Sequence, residues 1–581
     1  MLLAACGGES APPGQASESV GDVTSAVLAS DAGTNSGPTS DTSSGRPLLE
    51  RRATASAQVV EDPSAQRDTD AELDASLAEA QRESDATSGA NTDPENCSED
   101  DRGDDDPEGH DEDDDDHEGA DEADCEPRVS AREKRLAWLA EEWGDENLPA
   151  PTARTSGGGS VARIVLPAEP MEFVRPAAVK GIYLNAWAAG SATRSQALID
   201  LATRTEVNTF VIDLKDASGY VSYPTAVMTA REAGADQEIR IRDLVGFLER
   251  LQEAGIYPIA RIVMVKDPLL IRARPEWAVQ DSAGGVWVDS RGLVWANLHD
   301  QRVWDYHVEL AKEAAAIGFP EIQWDYVRFA DAPQEDLDRA VFPGADGRRR
   351  RDAVEAFLEY ARAELEDSGI AMTVDVFGAT TSADSDVGIG QYWERFIGSV
   401  DVALPMVYPS HYWAGSFGVQ DPNGHPYEIV WAALVSAVER SEAIEGAGVT
   451  RPWLQDFTLG APRYEAPEIR AQIQATYDAG IDEWLLWNAS SRYTEGALEP
   501  AGGFPGGAEP LMRVGGRIVP LSERYAAMVQ EAEERVLARA EADSIAAVVA
   551  DSLSAVRGSA PVADSLAADT GVPGVGVGVR R

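Results

Sequence analysis

The sequence predicts an α/β protein built as a closed (β/α)8 barrel of the TIM type, and three observations carry the prediction. Aromatic residues gather in the middle of the chain: of fourteen tryptophans, twelve lie between Trp187 and Trp487. Large rings are what cores and ligand grooves are made from. In the same stretch eight short apolar runs alternate with amphipathic helical patterns, the mark of strand–helix repeats. Several of the helical stretches also stop at a glycine just before the next run, so the helix-to-strand turns are short, as a parallel barrel requires.

Taken in order, the eight runs are Val179–Trp187, Thr209–Lys215, Tyr257–Val265, Glu321–Phe329, Ala371–Gly378, Asp401–Pro409, Arg451–Leu459 and Glu483–Ser490. They are rich in Val, Ile and aromatic residues and short enough to be buried on both faces. Ile241–Ala254, Arg302–Ile317, Arg350–Asp367 and Pro467–Ala479 read as helices between them. Gly255, Gly318, Gly369 and Gly480 follow these helices, where a residue that accepts a left-handed backbone ends a helix. The rival architecture, an open doubly wound sheet, normally carries a glycine-rich phosphate loop after its first strand. Ala186-Trp187-Ala188-Ala189-Gly190 is not such a loop. Beyond the barrel, Pro520–Arg557 reads as a long Ala/Glu-rich helix and Gly571–Arg581 as a Gly/Val-rich end.

Four segments follow from this reading: 1–6 as the remnant of a lipoprotein signal, 7–170 as an acidic low-complexity spacer, 171–500 as the barrel, and 501–581 as a helical and flexible tail. Leu3-Ala4-Ala5-Cys6 resembles a bacterial lipobox, which predicts acylation of Cys6. The chain is then an exported lipoprotein of the cell envelope, or a periplasmic or extracellular protein, with the lipid as its membrane partner. No run of about eighteen apolar residues is present, so no spanning helix is expected. The formal charge of −52 is concentrated: Asp93 to Glu126 holds twenty acidic residues and one arginine, Arg102. Such a run repels itself and buries nothing, so it reads as a solvated spacer rather than a calcium site, for which EF-hand spacing is missing. The overall charge argues against nucleic acid as a partner, because phosphate needs a basic surface. Cys97 and Cys125 flank the acidic run, as a disulfide or as two thiols.

In a barrel of this type chemistry sits where strands run out into the following loops. Those points carry Asp213 and Lys215 on the second run, Arg261 on the third, Asp325 and Arg328 on the fourth and Asp375 on the fifth. Tyr408 and His411 follow on the sixth, Asp456 on the seventh, and Trp487 and Asn488 on the eighth. A carboxylate inside an apolar strand is costly unless paired or used, and four strands each carry one. Paired carboxylates in unequal environments are what glycosidic hydrolysis needs, one ionised and one holding a proton. Trp187, Trp295, Trp324, Trp413 and Trp487 lie at or after strand ends, where flat rings suit the apolar faces of sugars; for Trp324 and Trp487 core packing explains the ring equally well. Lysine is scarce, five in all, yet Lys215 and Lys266 both follow strand ends. His299 and His307 read as structural. No His/Cys/Asp set has metal-ligand spacing and no G-x-S-x-G elbow is present, so neither metal nor cofactor is expected.

The stretches Val179-Lys180-Gly181-Ile182-Tyr183, Glu321-Ile322-Gln323-Trp324-Asp325-Tyr326-Val327-Arg328-Phe329, Val374-Asp375-Val376-Phe377-Gly378 and Pro405 to Tyr412 resemble a bacterial family described as a "putative glycosyl hydrolase domain". Arg451 to Phe457 and Trp484 to Asn488 join them, so the resemblance runs from about Pro176 to Leu498 without a missing strand. It implies a TIM barrel and a carbohydrate substrate. By analogy with retaining barrel hydrolases, Asp325 is the expected nucleophile and Asp375 the acid/base, with Asp213 or Asp456 as alternatives for the second role. Asp213, Lys215, Arg261, Trp295, Arg328, Tyr408, His411, Asp456, Trp487 and Asn488 are the expected substrate-binding set. An envelope lipoprotein that binds polysaccharide through an inert barrel is the alternative of a different class.

Overall fold

The computed structural model describes residues 171–558. Cys6, Cys97, Cys125 and the acidic run lie outside the described residues. All eight expected strands are present: β1 (Lys180–Leu184), β2 (Thr209–Lys215), β3 (Tyr257–Val263), β4 (Glu321–Asp325), β5 (Ala371–Phe377), β6 (Val402–Met406), β7 (Trp453–Gln455) and β8 (Trp484–Trp487). They pair in parallel in the order β7-β8-β1-β2-β3-β4-β5-β6, and Trp453 opposite Met406 joins β7 to β6. The sheet therefore closes on itself, which is the TIM-type α/β barrel. Near-continuous burial along β2 and β3 reflects the fold's demand that strands be covered on both faces.

Six helices cover the barrel: α1 (Ala192–Arg204), α2 (Leu244–Glu253), α3 (Gln301–Ile317), α4 (Arg350–Leu365), α5 (Pro426–Glu442) and α6 (Ala466–Asp478). Side chains of Ser191, Asp243 and Asp300 accept backbone N–H bonds at the starts of α1, α2 and α3, satisfying donors that a helix leaves open. The glycines expected to end helices adopt positive φ, 123° at Gly318 and 63° at Gly369. Two loops at the strand C-terminal rim are long. Residues 264–300 follow β3 and 326–349 follow β4, and they meet where Gln280–Asp281 pairs antiparallel with Ala340–Val341.

The packed unit runs past residue 500. A hairpin of β9 (Leu511–Val514) and β10 (Arg517–Pro520) lays Met512 and Val514, both fully buried, against the barrel helices. Arg513 reaches Glu468 at 2.6 Å, and Arg524 reaches Asp478 at 2.7 Å. Arg524 opens α7 (Arg524–Gly558), the long helix the composition predicts. Its far half is exposed, with Leu537, Ile545 and Val548 standing in solvent. No helix among the described residues is long and apolar enough to cross a membrane.

Inside the barrel, apolar Val211, Ile259, Leu404 and Leu485 separate two polar layers. The lower layer is Arg451, fully buried, with Glu321 at 2.6 Å and Glu483 at 2.8 Å. The upper layer, at the strand C-termini, holds the candidate site.

Candidate active site

Arg261 on β3 organises the upper layer. Asp213 on β2 stands beside it in register, and the guanidinium binds Asp213 through Nη1 and Asp325, at the end of β4, through Nη2 and Nε, the latter at 3.1 Å. Asp375 on β5 has one oxygen 3.9 Å from the same Nε. Those two distances together put these Asp325 and Asp375 oxygens no more than ~7 Å apart. Arg261 is fully buried and the three carboxyls are 2–3% exposed, so screening by water is slight.

Each carboxyl has its own surroundings. Asp213 accepts a bond from Tyr183 Oη; burial, opposed by Arg261 and aided by Asp216, pushes it up to about 6. Asp375 accepts from Gln323 Nε2 at 2.8 Å and Trp453 Nε1 at 2.7 Å. Burial first, and then the Asp325 charge, hold it well above the usual carboxylate range. Asp325 gains a further donor, the Tyr326 N–H at 2.6 Å. Tyr326 has φ 56°, a left-handed conformation that costs a non-glycine residue about 1–2 kcal/mol and turns this N–H back onto the carboxylate. Three acids facing one guanidinium leave surplus negative charge in a dry site, and a proton on Asp375 relieves it.

Aromatic rings line the cluster. Trp487 stacks on Tyr183 with centroids 4.0 Å apart, and Arg261 lies over both rings at 5.2 and 5.5 Å. Tyr408 is 1% exposed and its hydroxyl has no hydrogen-bond partner among the described residues. Burial and the charges of Asp375 and Asp325 raise its phenol well above the ordinary value. A buried hydroxyl without a partner beside two carboxyls is a donor in waiting.

Of the residues expected from sequence, Asp213, Arg261, Asp325, Asp375, Tyr408 and Trp487 come together here. Asp456 and Asn488 sit on the β7 and β8 rim: Thr494 donates to Asp456 from N and Oγ1 at 2.9 and 2.8 Å, and Asn488 donates to the Asp456 carbonyl at 2.6 Å. Burial pushes Asp456 up to about 6. His411 is half-buried on the β6 rim, packed on Tyr408 at 5.4 Å, with Nδ1 against Ser410 Oγ at 2.9 Å. Arg328 lies over Phe377 and Tyr326, each at 4.8 Å, and over Trp295 at 5.1 Å.

Two expectations need correction. Lys215 does not face the lumen. A register shift between Asp213 and Lys215 turns it behind the strand, where it pairs with Asp267 at 2.9 Å and donates to the Val263 carbonyl. Trp295 is 2% exposed inside the long β3 loop, its Nε1 donating to Asp289 and its ring lying under Arg328, so it is packed within the loop rather than standing free at the rim. Trp324 points outward and packs edge-on against Phe357 of α4 at 5.3 Å. A small cavity lined by Trp287, Trp295, Arg328, Phe329, Phe342 and Arg350 opens beneath the two long loops, to one side of the carboxyls. Gln323, Tyr183 and Trp453 were not foreseen; their period-two relation to Asp325 and to the strand ends was the available signal. Among the described residues no cluster of His, Cys, Asp or Glu has the geometry to hold a metal ion.

A hypothetical protein from Ruminiclostridium thermocellum is 37% identical over 34% of this chain and 97% of its own, with a TM-score of 0.31. The glycoside hydrolase domain of PgaB (BpsB) from Bordetella bronchiseptica is 13% identical, over 54% of this chain and 95% of its own, TM-score 0.40. The spore cortex-lytic enzyme SleL of Bacillus megaterium is 12% identical over 62% and 79%, TM-score 0.34. No curated protein matches. Residues 181–493 match the family described as "Putative glycosyl hydrolase domain", and the chain belongs to that family.

Proposed function

We propose that this protein hydrolyses glycosidic bonds of an envelope or extracellular polysaccharide, with Asp325 and Asp375 as the working pair. The observation that carries the reading is the inequality of the two carboxyls around one guanidinium. Arg261 and the Tyr326 N–H converge on Asp325, which suits attack at the anomeric carbon; Asp375, held well above the usual carboxylate range, keeps a proton for the leaving oxygen. In the second half-reaction Asp375 takes a proton from the incoming water, which then displaces Asp325. Arg261 holds Asp325 and Asp213 in place, and Tyr408 and Trp487 bind the sugar. Secretion, with anchoring through Cys6, belongs to the same proposal and fits a polymer outside the cell.

Reducing-sugar release by the full chain across bacterial envelope glycans and common glucans and galactans tests this. Release by the wild type and loss above about a hundredfold in Asp325→Asn and Asp375→Asn supports the roles; normal turnover by either variant refutes them. The near-complete burial of the three carboxyls favours one other reading, an inert barrel that binds polysaccharide. Binding of a glycan with no product from any substrate decides for it.

A further inference from the structure

The rim beside β4 carries a run of four arginines in a chain whose formal charge is −52. The loop that leaves Asp325 ends in Arg348-Arg349-Arg350-Arg351, and Arg350 opens α4. Cations there oppose the positive end of the helix dipole, so the placement is unfavourable unless an anion offsets it. Elsewhere arginines are commonly ion-paired, as at Arg240, Arg440, Arg451 and Arg524. In this run Arg349 alone has a carboxylate, Asp352 at 2.8 Å. Arg348 lies over the Trp304 ring, Arg351 lies over Tyr392, and Arg350 donates to the Gly388 carbonyl at 2.6 Å. Lys266, just after β3, stands 5.6 Å over the ring of Tyr326, the neighbour of Asp325. Among the described residues none of Lys266, Arg348, Arg350 and Arg351 has a carboxylate at ion-pair distance, and all four are at least partly exposed.

A buried side chain beneath the same patch gives an independent sign. His299 is 7% exposed and packs on Phe329 and Phe342, the two rings that also lie under Arg350. Its Nδ1 has no hydrogen-bond partner among the described residues. Burial first, and then the charges of Arg348 and Arg350, push it down to about 4.

We propose that the polysaccharide taken by this site is anionic, bearing carboxylate or sulfate groups that Lys266, Arg348, Arg350 and Arg351 hold while a glycosidic bond lies at Asp325 and Asp375. This rests on the hydrolase reading above and names its substrate class. An acidic polymer is repelled by the chain as a whole, but charges beyond roughly 10 Å are screened in physiological salt, so the local strip decides. Lys266 stands at the ring of Tyr326, the neighbour of Asp325, and Arg350 lies over Phe329 and Phe342 of the same loop. The acidic run Asp93 to Glu126 of this same chain is the other polyanion in question, and nothing in its sequence requires that path.

The test is binding by the full chain carrying Asp325→Asn, so that turnover does not intervene. Affinity electrophoresis through polygalacturonate, dextran sulfate and plain dextran gives the three arms. Retardation by polygalacturonate or by dextran sulfate, but not by dextran, is expected, and which of the two distinguishes carboxylate from sulfate. Adding Arg348→Ala, Arg350→Ala and Arg351→Ala together weakens that binding by roughly tenfold or more, with an unchanged circular dichroism melt. The matching Arg→Lys triple retains most of it, and added salt weakens the parent more than the alanine triple. Equal retardation of parent and alanine triple, equal retention by plain dextran, or no binding to either charged glycan overturns the proposal. Binding of a peptide of residues 93–126 to the parent but not the triple, with no glycan bound, overturns it and gives the patch to the chain's own acidic run. Binding in the Asp325→Asn chain without hydrolysis by the wild type sinks the hydrolase reading alone; hydrolysis of neutral glycans only sinks this proposal alone.

Discussion

Replacing Arg261 with methionine removes the guanidinium that binds Asp213 and Asp325 and stands 3.9 Å from Asp375. Even with Arg261 present, burial pushes Asp213 up to about 6, roughly two units above its ordinary value, and each unit is worth about 1.4 kcal/mol. Without it the three carboxyls lose their shared attraction while staying as buried. Breaking a buried ion pair costs about 3–5 kcal/mol when the remaining charge is ionised. Protons cancel that charge, so the loss should be largest at alkaline pH and shrink in acid. The assay is urea unfolding of the full chain, followed by tryptophan fluorescence at pH 5 and pH 8, for wild type and Arg261→Met. The expected gap is about 3–5 kcal/mol at pH 8 and clearly smaller at pH 5. Adding Asp375→Asn to Arg261→Met should recover part of the gap at pH 8, because one unpaired acid is gone. A gap independent of pH, or no recovery by the second substitution, refutes the reasoning. Arg261 would then act through its packing on Tyr183 and Trp487.

In the wild type, Asp213 titrates at about 6 when folded and near 3.8 when unfolded, so its stabilising contribution is complete below pH ~4 and lost as pH rises through 6. Asp213→Asn should therefore flatten the loss of stability between pH 4 and 7 by about 3 kcal/mol, read from the same unfolding curves; an unchanged slope contradicts the assignment. Asp375→Asn should likewise flatten the loss of stability as pH rises above about 4, since burial holds this carboxyl well above its unfolded value, while abolishing reducing-sugar release. Arg451→Met at the opposite end of the barrel should lower unfolding stability by about 3–5 kcal/mol with glycan binding unchanged, because Glu321 and Glu483 lose their partner far from the site. Met512→Ala should cost about 2–5 kcal/mol, and a chain ended at residue 500 should melt earlier than one ended at 531; equal melts would mean the hairpin adds nothing.

The sequence by itself determined the barrel, because its evidence is periodic and local. Each strand is a short apolar run that must be buried on both faces, and each glycine at a helix end answers a backbone need that neighbours do not alter. It also determined most of the upper layer. A carboxylate or arginine at a strand's C-terminal end has one place to go in this fold, so Asp213, Arg261, Asp325, Asp375, Tyr408 and Trp487 converge as their positions imply. Only the tertiary structure decided which way Lys215 turns, since one irregular step after Asp213 reverses the face of every later residue on that strand. The fate of Trp295, the antiparallel contact between the two long loops and the burial of Met512 by a hairpin beyond residue 500 were likewise settled by packing between segments distant in sequence. The unequal character of Asp325 and Asp375 belongs to the same class: both are aspartates at strand ends, and burial with distant partners such as Trp453 and Gln323 sets them apart. Local pattern fixes where the chain folds, and the dry three-dimensional surroundings of each charge fix what that charge can do.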